Sequence, residues 1–162
     1  PGSRCSPAWL GSFSGSSLSY PPAMQIRPYT MGKMRQQYHS RLVDGRRLIW
    51  DVNKLVSLAA ILPVVEVPIE DLSEFDEGYW FEGQTAVGTP RQVAEHAKLI
   101  SETDLAYPII LCSRGRLMDG MHRVAKAWML GSSTIQAVRF ASDPAPDYVD
   151  IDLDSLPYGE DE

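Results

Sequence analysis

The chain is poor in the residues that bind metal or cross-link a small fold. Its two cysteines sit in unlike surroundings, Cys5 in a polar N-terminal stretch and Cys112 in an apolar run, so no disulfide is expected. Cys112 reads as a small core residue or as a thiol lining a site. The three histidines, His39, His96 and His122, are far apart and no CxxC occurs, which argues against structural zinc and gives no metal site. No stretch approaches the about 20 apolar residues that cross a bilayer, so no membrane association is expected. The patch Ala8 to Leu10 is too short for the core of a signal peptide. Cytoplasmic residence is the default expectation.

Basic charge is also short. There are 15 Lys plus Arg against 21 Asp plus Glu, a formal net charge of −6. A nucleic-acid binder relies on a basic face to displace counterions, so the balance argues against one. Eight of the acids lie at or beyond Asp143, where no Lys or Arg occurs, and removing these 8 from 21 leaves 13 acids against 15 bases elsewhere. A local patch of Arg114, Arg116, Arg123 and Lys126 would suit one small polyphosphate better than a duplex.

At 162 residues there is room for one domain with a single core. Residues 1–40 open with a Ser, Gly and Pro-rich run and are expected to be a disordered leader or an appended remnant. Residues 41–141 carry the domain, and 142–162 form an acidic tail in which Tyr148, Val149, Ile151 and Leu153 could lay one short strand before Asp154 onward frays. Arg47 to Trp50 suit a short strand or turn. Asp51 is placed to N-cap a helix carrying Val52, Leu55, Val56 and Ala59, ended by Pro63. Thr89, Pro90 and Gln92 make a second helix start. Its expected buried stripe is Val93, Ala97 and Ile100; Glu95 and His96 fall off it, onto the surface or toward a site.

The most informative segment is Tyr107 to Gly131. Ile109 to Leu111 suit a buried strand, Arg114 and Gly115 a turn, and Leu117 and Met118 a second strand. From Met121 the period becomes helical, with Met121, Val124, Ala125, Trp128 and Met129 on one face and Gly131 as the stop. Asp119 and Gly120 therefore precede a helix whose first N–H groups lack intrahelical acceptors and whose dipole favours an anion. Either Gly120 lets a phosphate approach closely while His122 and Arg123 neutralise it, or Gly120 is only a turn residue and Arg123 pairs with a surface carboxylate.

The motif DGMHR at Asp119 to Arg123 resembles that of the ParB/sulfiredoxin superfamily, in which partition proteins carry GERR, sulfiredoxins GCHR and free serine kinases DGHHR. The resemblance covers roughly Val64 to Phe140. EVPIEDL at Glu66 to Leu72 is similar to the family's first strand and bend, TPRQVAEHAKLI at Thr89 to Ile100 to its first helix, and TIQAVRF at Thr134 to Phe140 to its closing strand. It implies an α+β fold, a small domain with a short mixed sheet and helices packed on it. It also implies nucleotide phosphates held by Asp119, Gly120, Met121, His122 and Arg123, the nucleotide being ATP or CTP with Mg²⁺.

Departures from the family narrow the chemistry. Met121 stands where sulfiredoxins have their nucleophilic cysteine, which argues against sulfinic acid reduction. Gln92, Glu95 and Leu99 replace the lysine and hydroxyl residues with which sulfiredoxins reach the nucleotide. Too little chain follows Phe140 for the helix-turn-helix module of partition proteins.

Glu70 to Phe81 is the second candidate for chemistry, with five acids followed by Gly78 and the aromatics Tyr79, Trp80 and Phe81. Carboxylates beside a phosphate can accept the proton of an attacking hydroxyl or hold Mg²⁺. Free serine kinases use a glutamate after the first strand as the base, and its counterpart here is Glu77, Asp76 or Glu74. Three consecutive aromatics cannot share one face, so at least one should leave the core, to stack on a base, line a pocket or wedge the loop. The leading expectation is a nucleotide-binding phosphotransferase, such as an ATP-dependent small-molecule kinase, or a nucleotide hydrolase. The alternatives are a non-catalytic module that responds to ATP or CTP by changing a protein contact, and a DNA-partition accessory protein, which the charge balance disfavours.

Overall fold

The computed structural model describes residues 36–81 and 88–158. It is an α+β domain built on two small sheets. Strands β1 (Tyr38–Val43) and β2 (Arg46–Asp51) form an antiparallel hairpin, extended on the β2 side by β7 (Tyr148–Val149). The second sheet has the order β3 (Val64–Pro68), β6 (Thr134–Arg139), β4 (Ile109–Leu111), β5 (Leu117–Asp119). Only β4 and β6 run parallel, so this sheet is mixed.

Local chemistry explains most element ends. Asp44 and Gly45 close the first hairpin with φ of 51° and 78°, the positive values that a two-residue turn matched to strand twist requires. Helix α1 (Val52–Ala59) begins where the Asp51 carboxylate accepts from the amides of Asn53 and Lys54. Helix α2 (Pro90–Glu102) starts with the expected capping box of Thr89 and Gln92. Helix α3 (Met121–Met129) ends with Gly131 at φ 81°, its N–H on the Trp128 carbonyl and that of Ser132 on Ala127.

The pleat of β4 divides the core. Ile110 and Cys112 face the layer of α1, with Trp50, Val52, Leu55, Val56, Met118 and Val138. Ile109 and Leu111 face α3, with Leu117, Met121, Val124, Ile135 and Ala137. Side chains of this size contribute roughly 1.5–3 kcal/mol each when fully buried. Helices on both faces thus fix β5 and the start of α3.

Several expectations needed correction. The first strand begins at Tyr38, inside the stretch 1–40 expected to be disordered; residues 1–35 lie outside those described. The stripe Val93, Ala97 and Ile100 is not buried: α2 has no buried residue and Val93 is 52% exposed. This helix lies against α3 and not on a sheet, held partly by Lys126 Nζ donating to the carbonyls of Ser101 and Thr103. Trp128 and Met129 are 61% and 68% exposed, because α3 seats Met121, Val124 and Ala127 and turns its last residues outward. The 142–162 segment is integrated as far as it is described. Asp147 and Asp150 accept hydrogen bonds from the β2 backbone, Leu156 is buried, and only Tyr148 and Val149 of the four expected residues are in a strand. No described helix is long and apolar enough to cross a membrane.

Candidate functional site

A cleft of about 400 Å³ opens where three local structures meet: β1, the 3-10 turn Ser73–Asp76 with the loop behind it, and the β5–α3 junction. Asp119, Gly120, Met121 and His122 line it directly. Gly120 sits at the N-cap with φ 111° and ψ 20°. A Cβ there would come 2.7 Å from Ile109 Cγ2 and 2.9 Å from Arg123 Nη2, so packing alone demands glycine. The Gly120 carbonyl accepts from the amides of Arg123 and Val124. The Met121 and His122 amides have no intrahelical acceptor and lie at the positive end of the helix dipole.

Charges around the cleft are largely paired. Arg123 Nη2 donates to Asp119 Oδ2 at 2.6 Å, so Arg123 does find a carboxylate of the chain, but a half-buried one and not the surface carboxylate considered above. Arg116 Nε donates to Glu74 Oε1 at 2.7 Å, and its Nη2 lies 3.6 Å from Glu77 Oε2. The Glu74 partnership holds the Arg116 guanidinium still more firmly in its charged form. Arg41 Nη2 donates to the Leu117 carbonyl at 3.0 Å, tying β1 to β5. Of the patch Arg114, Arg116, Arg123 and Lys126, three members are thus engaged within the protein and Arg114 is exposed.

The three acids considered as bases separate. Glu74 is buried and lines the cleft, Glu77 stands exposed at its rim, and Asp76 lines a different groove with Phe75, Trp128 and Thr134. Of the aromatics, Tyr79 and Trp80 both line the cleft while packing against the α3-side core. Burial pushes the Tyr79 hydroxyl well above its ordinary range, keeping it protonated.

Two histidines complete the wall. His96, from α2, places Nδ1 2.9 Å from His122 Nε2. Trp80 stacks on both, with ring centroids 4.5 Å from His96 and 5.0 Å from His122 and interplanar angles of 16° and 17°; Phe81 meets His96 edge-on. Burial lowers the pKa of each imidazole, helped at His122 by the neighbouring His96. Both shifts favour the neutral form of the rings.

The sequence pointed to the β5–α3 junction and the loop 74–81 but not to β1, whose Tyr38, His39, Ser40 and Arg41 form one side of the cleft. The turn dipeptide Asp44-Gly45 was the available signal for that hairpin. Among the described residues no group of three His, Cys, Asp or Glu side chains could hold a metal ion alone. Mg²⁺ would have to enter on a nucleotide's phosphates with one or two carboxylates, of which Glu77 and Asp119 have the right hard-oxygen chemistry. Comparison of the chain with protein-family models, with curated proteins and with solved structures finds no match.

Proposed function

We propose that the chain is a ParB-like nucleotide-binding protein, with the phosphates seated at the Asp119–Arg123 junction and phosphoryl transfer to a small hydroxylated molecule as its activity. The observation that carries this reading is the position of the α3 N-terminus, whose Met121 and His122 lie on a cleft large enough for a small ligand. The Met121 and His122 amides would take phosphate oxygens, and the Asp119–Arg123 pair would hold the loop rigid. Glu77, exposed at the rim, would meet the Mg²⁺ carried by the nucleotide. Such a site needs positioning and charge stabilisation and no protein nucleophile.

A second reading draws on the pairing of Arg116 with both Glu74 and Glu77. It makes the cleft a nucleotide-responsive module that changes a protein contact without turnover. Thermal unfolding with ATP, CTP, GTP and ADP, each with Mg²⁺, tests the binding common to both. Ligand at about 100 times its Kd raises stability by roughly 2.7 kcal/mol. The expected result is a midpoint rise for wild type that is lost in Arg123→Ala, each protein being compared with its own ligand-free midpoint. No rise with any nucleotide sinks both readings. A rise accompanied by release of the matching nucleoside diphosphate and phosphate, water standing in for the acceptor, selects the catalytic reading over the non-catalytic one.

A further inference from the structure

The attacking hydroxyl in such a reaction must lose a proton, and the carboxylates nearest the cleft are poorly placed to take it. Glu74 is committed to Arg116, Glu77 shares that guanidinium, and Asp119 is committed to Arg123. The histidine pair has no such commitment to a charge. His122 lines the cleft, whereas His96 does not and reaches the pair from α2. With His122 Nε2 occupied by His96, Nδ1 is the nitrogen left to meet a substrate.

Resting on the phosphotransferase reading above, we infer that His122 is the general base of the cleft and that His96 carries the proton onward to solvent. In the resting pair His122 holds hydrogen on Nε2 and donates it to His96 Nδ1, while His96 holds hydrogen on Nε2. The substrate hydroxyl oxygen forms a bond to the terminal phosphorus of the nucleoside triphosphate. The bond from that phosphorus to the bridging oxygen breaks, and its electron pair leaves with the diphosphate. The hydroxyl proton goes to His122 Nδ1, the Nε2 hydrogen of His122 crosses to His96 Nδ1, and the Nε2 hydrogen of His96 goes to water. Both rings end neutral in the other tautomer and re-exchange with water.

Three features of the pair suit this task. The lowered pKa of His122 leaves the Nδ1 lone pair available near pH 7, because desolvation and the neighbouring His96 outweigh the opposing pull of Asp119, with Arg123 adding to the lowering, and at His96 desolvation outweighs the pull of Glu95. The indole of Trp80 lies parallel over both rings, so a positive charge passing between them stays against one aromatic face. A contact made only for packing would not need a ring nitrogen on each side, and α2 buries none of its residues fully, His96 being half-buried.

The test uses the full chain with MgATP and separately MgCTP, water serving as phosphoryl acceptor. Binding is read by the thermal midpoint shift and turnover by release of inorganic phosphate. His122→Phe and the hydrogen-bonding variant His122→Gln are both expected to retain the shift and to lose release about 100-fold or more at pH 7.5. His96→Phe keeps a ring under Trp80; it should slow release by a smaller factor. It should also turn the dependence of rate on solvent deuterium fraction from curved, for more than one moving proton, to linear. Turnover that persists in both His122 variants overturns the inference, as does an unchanged deuterium dependence in His96→Phe. Nucleotide binding by wild type without release at any pH between about 5 and 9 also overturns it, while leaving the non-catalytic reading standing. Absence of any midpoint shift strikes the nucleotide reading itself and removes the proton path with it.

Discussion

Arg116 joins Glu74 across 42 positions of sequence, Nε to Oε1 at 2.7 Å, and so clamps the β4–β5 hairpin to the 3-10 turn that follows β3. The two ends are unequal. The Glu74 side chain is 5% exposed and that of Arg116 45%, so the glutamate depends on its partner far more than the arginine does. Removing Arg116 strands a buried carboxylate, whereas Glu74→Gln leaves a neutral acceptor for the same donor. Arg116→Ala should therefore cost about 2–3 kcal/mol and Glu74→Gln about 1 kcal/mol. Urea unfolding at pH 7 measures both. Equal losses would show that the burial asymmetry does not govern this pair.

Gly120 should be the least replaceable glycine near the cleft. Its φ of 111° strains any L side chain, and a methyl group would press on both Ile109 and Arg123. Ile109 is fully buried and cannot yield freely. Gly120→Ala is expected to lose about 2–4 kcal/mol in denaturant unfolding. Gly45→Ala meets no atom within 4 Å and shares only the positive φ, so a smaller loss is expected there. Similar losses at the two sites would refute the packing argument.

The elements with strong local signals were legible in the sequence. Asp51 and the Thr89–Gln92 box announce their helices because capping depends on neighbours within one turn. The change of period between Leu117 and Met121 likewise marks the strand-helix junction. Long-range partners were not legible. Periodicity shows that α2 is amphipathic but not that it lies beside α3 instead of on a sheet, and hence not that Val93 stays exposed. His96 was separated from the expected stripe, but its meeting with His122 depends on the placement of two helices and the Trp80 loop. The acids at 74, 76 and 77 were close in sequence, and only the tight turn sends Asp76 to a different groove from its neighbours.

Asp51 offers a test of the local energetics alone. One of its carboxylate oxygens accepts from Asn53 N at 2.8 Å and from Lys54 N at 3.4 Å, at the start of a helix that supplies Val52, Leu55, Val56 and Ala59 to the core. Asp51→Ala should lower stability by about 1–2 kcal/mol and Asp51→Ser by less, since a hydroxyl restores the cap. Urea unfolding distinguishes them. No recovery with serine would mean that the charge of Asp51, and not its capping bond, is what the helix needs.

His39 makes stability depend on pH in a predictable sense. It is 9% exposed, packs at a tilt of 32° against Trp50, and its buried Nε2 has no hydrogen-bond partner among the described residues. Desolvation first, and then the charge of Arg41, bring its pKa down to about 4 from an ordinary 6.5, against the opposing pull of Asp119 and Glu74; Arg116 adds a smaller lowering. Between these two values the unfolded chain binds the proton that the folded chain refuses. Stability from this group is therefore complete above about pH 6.5, falls as pH decreases, and levels off below about 4. At about 1.4 kcal/mol per unit the full change is ~3 kcal/mol. His96 and His122 act in the same sense, but their contribution is common to wild type and a His39→Phe variant and cancels in the difference. The unfolding free energy of His39→Phe minus that of wild type should thus rise by ~3 kcal/mol from pH 7 to pH 4. Parallel stability curves would mean that His39 finds an acceptor or water for its proton in the folded state, and that the wall contributed by β1 is wetter than its burial implies.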